Sequence, residues 1–151
     1  MELGAYLPYL VNRLGQRFVA EISPALTAVG IDVQMWRVLI ALYQRGDQPV
    51  GALSDLTSIN ISTLSRLIGR MSAKGHVERL RGNDDARSVI IRLTPDGRAV
   101  TESILPAATT LEAGATANFS DAERAMLEQL LVKLYAGLAD DAADTEERLA
   151  G

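Results

Sequence analysis

The 151-residue sequence contains no cysteine, a single histidine and few aromatic residues, 5% of the chain. Without a thiol it can form no disulfide, no thiolate metal site and no cysteine nucleophile, and it cannot sense peroxide through thiol oxidation. With His76 as its one imidazole, the usual pairs of nucleophile and base are missing, and a zinc site would need carboxylates in place of its common ligands. No Gly-rich phosphate loop is present. The carboxylate pairs Asp84/Asp85 and Asp140/Asp141 read as turn chemistry and a solvated tail. These absences predict a protein that is not an enzyme and carries neither metal nor cofactor. Apolar runs fall short of the roughly 18 residues a membrane span needs, and residues 1–13 lack a basic segment followed by an apolar one. The expectation is a cytoplasmic protein with no membrane partner, large enough to bury a core of its own.

A net charge of −4 and a pI near 5.0 speak at first against a nucleic-acid partner. The distribution along the chain alters that argument. Residues 1–59 carry a net charge of −1, residues 60–98 carry +4 and residues 99–151 carry −7. A basic segment within an acidic body is the asymmetry expected when one part of a protein faces phosphate. Chance clustering is the alternative.

Hydrophobic periodicity divides the chain into helices with one break in pattern. Leu3, Leu7, Leu10, Leu14, Phe18 and Ile22 recur at steps of three or four and predict an N-terminal helix. Pro8 falls in its first turn, Pro24 is expected to interrupt or restart it, and Gly30 to end it at a bend. Trp36, Leu39, Ile40 and Tyr43 mark a second helix that stops at Gly46. A short third helix is expected to open at 47–49, with Pro49 in its first position and Leu53 and Leu56 on its apolar side. After a turn over 58–61, a fourth helix buries Leu64, Leu67, Ile68 and Met71 and closes at Gly75.

Beyond Gly75 the period shortens towards two. Residues 77–81 and 88–93 read as strands of a β-hairpin around the polar loop 82–87. Thr94 and Pro95 then form a helix start, as N-cap and first residue of a helix reaching about Ala117. Ser120 and Glu123 make a capping box for a last helix to about Leu138, striped by Leu127, Leu130, Leu131, Leu134 and Leu138. The acidic, alanine-rich tail either extends that helix or frays.

Two short helices, a tight turn and a hairpin make a winged helix-turn-helix, whose second helix enters the major groove. The fold class expected is therefore mainly α with a small β-hairpin wing. The winged domain spans 31–94, flanked by helices in 1–30 and 95–151. Ser62, Thr63 and Ser65 place short hydroxyls at the leading end of the second helix, where they and free N–H groups can bond phosphates or base edges. Arg66 has the reach and fork geometry for guanine, and Arg70 lies one turn further on. The plainer alternatives are an N-cap role for Ser62 and a solvated face for both arginines, and Lys74 suits a helix C-terminal charge better than a base reader. In the wing loop, Asp85 stands two residues before Arg87 and is placed to orient it into a narrow minor groove. Taken alone, that loop reads equally as an Asx-type turn.

Several segments, in this order and spacing, resemble the MarR family of multiple-antibiotic-resistance-type regulators. They are Trp36-Arg37-Val38-Leu39, Leu64-Ser65-Arg66-Leu67 through Lys74-Gly75-His76-Val77-Glu78-Arg79, Asp85-Ala86-Arg87, and Leu93-Thr94-Pro95-Asp96-Gly97. The resemblance covers nearly the whole length. It implies a homodimer in which the first and last two helices of each chain intertwine over a palindromic double-stranded DNA site. It implies DNA contacts at Ser62, Thr63, Ser65, Arg66 and Arg87. It also implies release of DNA by a small, often aromatic ligand. Candidate residues for that effector are Tyr9, Arg13, Arg17, Trp36 and Tyr43, with the two arginines four apart on one helical face and the aromatics able to stack on a ring. Core packing for Trp36 and surface charge for the arginines are the alternatives. His76 departs from the family pattern, which has an apolar or aromatic residue after the glycine. A winged helix used only for protein contact is the competing function, since fold alone does not fix function.

Overall fold

The computed structural model describes residues 2–81 and 89–149. Among them are a 3-10 turn at Leu3–Ala5 and six α-helices. These are α1 (Leu7–Ala28), α2 (Val33–Arg45), α3 (Val50–Thr57), α4 (Ile61–Ala73), α5 (Pro95–Ala115) and α6 (Asp121–Leu149). Three short strands complete the order: β1 (Gln48–Pro49), β2 (Val77–Arg81) and β3 (Val89–Leu93). The chain divides into two compact units, 1–111 and 112–151.

The core of the first unit is built from the apolar faces that the periodicity marks. Val38, Leu39 and Leu42 of α2, Leu53 of α3, Leu64, Leu67, Ile68 and Met71 of α4, and Ile104 of α5 are buried together with Val77 and Ile91 of the strands. Trp36, partly buried, packs against this cluster. Helix ends are set locally. α1 and α4 both close in Schellman motifs, with Ile31 N–H bonded to the Leu26 carbonyl and His76 N–H to that of Met71. Their turns put Gly30 and Gly75 at φ of 72° and 78°, left-handed values that glycine adopts without a Cβ penalty. Thr94 caps α5 by accepting from Gly97 N–H at 3.0 Å while donating to the Gly75 carbonyl at 2.6 Å. In the second unit, Ser120 and Glu123 form the expected capping box. Hydrogen bonds from the Ser120 N–H and hydroxyl hold the Glu123 carboxyl below its ordinary pKa.

Two expectations need correction. Helix α1 runs unbroken through Pro24. Proline removes one N–H from the ladder, but Pro24 and Ala20 are both exposed, so water can serve the freed carbonyl while buried Ile22 and Leu26 hold the two halves on the core. Pro49 does not begin α3: it lies in β1 with extended φ and ψ of −65° and 153°, and the helix starts at Val50. The expected hairpin of β2 and β3 is present, and β1 adds a third strand to it in the antiparallel order β1-β3-β2. Gln48 stands opposite Ile91 and Pro49 opposite Ile90, an edge position where a missing N–H costs no ladder bond. In the last helix, α6, the tail extends the helix to Leu149, one of the two readings its sequence allowed.

A candidate nucleic-acid interface on helix α4

Helix α4 is held from behind and from both ends. Asn60, extended at φ −60° and ψ 151°, is its N-cap, with its side-chain oxygen accepting from Thr63 N–H at 2.9 Å. The same oxygen accepts from the Ser62 hydroxyl at 2.9 Å. The cap is thus Asn60, where sequence reasoning offered Ser62. The missed signal was an asparagine three residues before Thr63 at the end of the turn, since asparagine ranks among the best N-cap residues. The turn itself is made by Ser58, which takes the left-handed conformation at φ 55°.

With Leu64, Leu67, Ile68 and Met71 buried, the opposite side of α4 forms a crest of Ser62, Arg66, Gly69 and Ala73, all exposed and spaced at three- and four-residue steps. Ser65 lies on one shoulder of this crest, and Thr63 and Arg70 on the other. Arg66 is exposed, its Nε lying 3.5 Å from the Ser62 carbonyl. Arg70 faces Asp32 across 3.5 Å, and Asp32 in turn caps α2 by accepting from Met35 N–H. Ile61, 58% exposed, adds apolar surface at the leading turn that sequence reasoning did not select. Such a group can meet a thymine methyl. Lys74 Nζ donates to the Gly30 carbonyl at 3.1 Å, so it serves the end of α1 and stands away from the crest.

Behind the crest, the base of the wing is tied by Arg92, which bonds Asp47 through Nε at 2.9 Å and Nη2 at 2.8 Å and reaches Glu78 at 3.7 Å. These contacts join β3 to its neighbours on both sides. Asp85 and Arg87 lie outside the described residues.

The candidate effector residues fall in different surroundings. Arg13 and Arg17 line one open depression of about 670 Å³ on α1, together with Leu10, Leu14, Gln16 and Ala20. Arg17 also pairs with Glu21 at 2.8 Å. Tyr9, Trp36 and Tyr43 do not line that depression. Trp36 packs on the core. Tyr43 donates to Glu102 at 3.4 Å, and the Arg98 guanidinium sits 5.0 Å from its ring centre. No single helix among the described residues is long and apolar enough to cross a membrane.

A short helix, a tight turn, a capped second helix with an exposed polar crest and an adjoining antiparallel wing define a winged helix-turn-helix DNA-binding protein. The MarR family model matches residues 31–89. The multiple antibiotic resistance protein MarR of Salmonella typhimurium is 31% identical over 85% of this chain and 88% of its own length. Among solved structures, a cysteine-to-serine mutant of MarR from Escherichia coli complexed with operator DNA superposes with a TM-score of 0.75 at 28% identity, covering 85% of this chain and 92% of that one. Bordetella bronchiseptica BpsR, solved in work on regulation of its DNA binding by 6-hydroxynicotinic acid, gives 0.75 at 28% identity over 85% and 98%. The chain belongs to the MarR family and is a DNA-binding transcription regulator.

Proposed function

We propose that the chain represses transcription as a homodimer on an inverted repeat. One α4 helix would enter each half-site, with half-sites about one helical turn, roughly 10 base pairs, apart. In this reading residues 31–94 are the DNA-binding domain, and residues 1–30 and 95–151 form the dimerisation region. The observation that carries it is the crest of α4, a row of small residues and an arginine turned outward from a buried apolar face. Ser62, Thr63 and Ser65 contact phosphates or base edges at the leading end, and Arg66 reads guanine. Arg70 exchanges its Asp32 contact for a phosphate. Arg87, oriented by Asp85, grips the flanking minor groove, a role carried by the family resemblance. The operator-bound Escherichia coli relative supports this assignment.

A small aromatic acid releases the DNA in the same proposal, in line with the ligand named for the Bordetella relative. Arg13 and Arg17 hold its carboxylate, because they share one depression and lie four residues apart. Tyr9, Trp36 and Tyr43 supply aromatic surface only if the dimer or the bound state rearranges them around it.

DNA fragments enriched by the purified protein from its own genome supply the probe for gel-shift titration. Arg66→Ala should weaken binding and relax base preference, whereas Arg87→Ala should weaken all sequences alike. The logarithm of affinity should fall with that of salt at about 0.9 per neutralised phosphate. Salt-independent binding, unmoved by either substitution, would replace DNA recognition with a protein-contact role. Hydroxylated aromatic acids, 6-hydroxynicotinic acid among them, should release the probe from the wild type and not from Arg13→Ala/Arg17→Ala.

A further inference from the structure

We infer that Arg79 of β2 is a further DNA-contacting residue, a phosphate clamp built along the wing-side shoulder of the recognition helix. The inference rests on the proposed docking of α4 in the major groove and adds a residue to it.

Strand alternation places Arg79 on the same face of β2 as buried Val77. Its cross-strand partner is Ile91, which is fully buried. This is the face that covers α4, an unusual place for an arginine. The side chain resolves the conflict by lying along the sheet and carrying its guanidinium out over the helix, where it stays exposed. There Nη2 donates to the Ser65 carbonyl at 3.1 Å. The same nitrogen lies 3.8 Å from the place a Cβ would take on Gly69.

Gly69 needs an explanation of its own, because a glycine inside a helix costs about 1 kcal/mol relative to alanine. Its φ is not left-handed, so no backbone requirement accounts for it. A Cβ alone would fit in ordinary contact, but a longer side chain there would occupy the space where the guanidinium rests.

The result is a cation held at a fixed point beside Ser65 and Gly69, on the shoulder opposite Arg70. One N–H is engaged by the Ser65 carbonyl, and among the described residues the rest of the fork has no other partner. A guanidinium has five donors in a rigid plane, so one can fix its position while others meet a phosphate. Arg81, two residues further along the same face and also exposed, continues the basic edge in the direction of the wing loop.

The test titrates wild type, Arg79→Ala, Arg79→Gln, Arg79→Lys and Arg66→Ala against the genome-enriched fragment and a mixed-sequence duplex, between about 50 and 200 mM salt. Arg79→Ala should lose at least about tenfold in affinity for both DNAs alike, as expected for a charged hydrogen bond. Its salt slope should drop by about 0.9 for each arginine that met a phosphate. Arg79→Gln keeps a donor for the Ser65 carbonyl without the charge. It should show the same loss of slope, which separates the clamp from a structural role and replaces Arg79→Ala should that variant fail to fold. Arg79→Lys should restore the slope.

Wild-type slope and affinity in folded Arg79→Gln, with Arg66→Ala still impaired, would overturn the clamp and leave the docking of α4 intact. A loss confined to the enriched fragment, at unchanged slope, would also overturn it. If Arg66→Ala is likewise without effect, the docking itself fails.

Discussion

His76 occupies the point where α4, β2 and α5 meet, and its backbone is fully committed there. Its N–H closes the end of α4 on Met71, and its carbonyl accepts from Thr94 N–H at 3.1 Å. α5 presses so close that a Cβ on Gly97 would fall 2.0 Å from that carbonyl oxygen. The imidazole is half-buried, and its buried Nδ1 has no hydrogen-bond partner among the described residues. Burial lowers the pKa of the ring, Lys74 lowers it further, and Asp96 opposes them. A histidine whose pKa is depressed in the native state binds its proton first in the unfolded chain. Its contribution to stability is whole above the unfolded value of about 6.5 and is lost as pH falls from there through the lower native value. Thermal unfolding should therefore show a midpoint that declines over the interval below about pH 6.5. His76→Leu should flatten that interval. Parallel profiles for the two proteins would show that the ring titrates as freely folded as unfolded.

At the scale of elements, the recognition helix depends on a cap that bonds two partners at once. Asn60 satisfies Thr63 N–H and also draws in the Ser62 hydroxyl. Asn60→Ala should cost about 1 kcal/mol of stability, the usual worth of an N-cap. It should weaken operator binding by more than that loss explains, because Ser62 is released from its fixed orientation. Comparing denaturant midpoints with gel-shift affinities for Asn60→Ala and Asn60→Asp separates the two effects. Asp keeps the cap, so equal affinity losses in both variants would refute the orienting role. The helix ends at Gly30, Gly46 and Gly75, the Thr94 cap and the Ser120–Glu123 box were legible in the sequence because each is decided within about five residues. What the sequence hid was decided at longer range. Pro49 joins an edge strand only because Ile90 and Ile91 lie beside it, and α1 survives Pro24 because the core holds both its halves. Arg79 is hidden for the same reason, since nothing in its neighbourhood along the chain announces a carbonyl 14 residues away.

At the scale of the molecule, two helices each keep a group of large apolar residues exposed. On α1, Leu7, Leu10, Val11 and Leu14 are all 41–50% exposed, and on α6 Met126, Leu130, Leu131 and Val132 are 42–70% exposed. Patches of this kind mark association sites, and the palindromic DNA site proposed above would call for a two-fold partner. The charge pattern agrees with one basic, phosphate-facing segment, because residues 60–98 carry +4 while the acidic residues concentrate after residue 98. Leu130→Asp/Leu131→Asp tests the association directly. Both side chains are exposed within one chain, so the change should leave an isolated protomer within about 0.5 kcal/mol of its original stability. It should instead remove a self-complementary contact twice over. Sedimentation at micromolar concentration should give a dimer for the wild type and a monomer for the variant. Wild-type stability should rise with protein concentration, and that dependence should vanish in the variant. Operator affinity should fall far more than affinity for a single half-site, because the second winged domain no longer arrives with the first. A wild-type monomer, or a variant that remains dimeric with operator affinity intact, would move the interface away from α6.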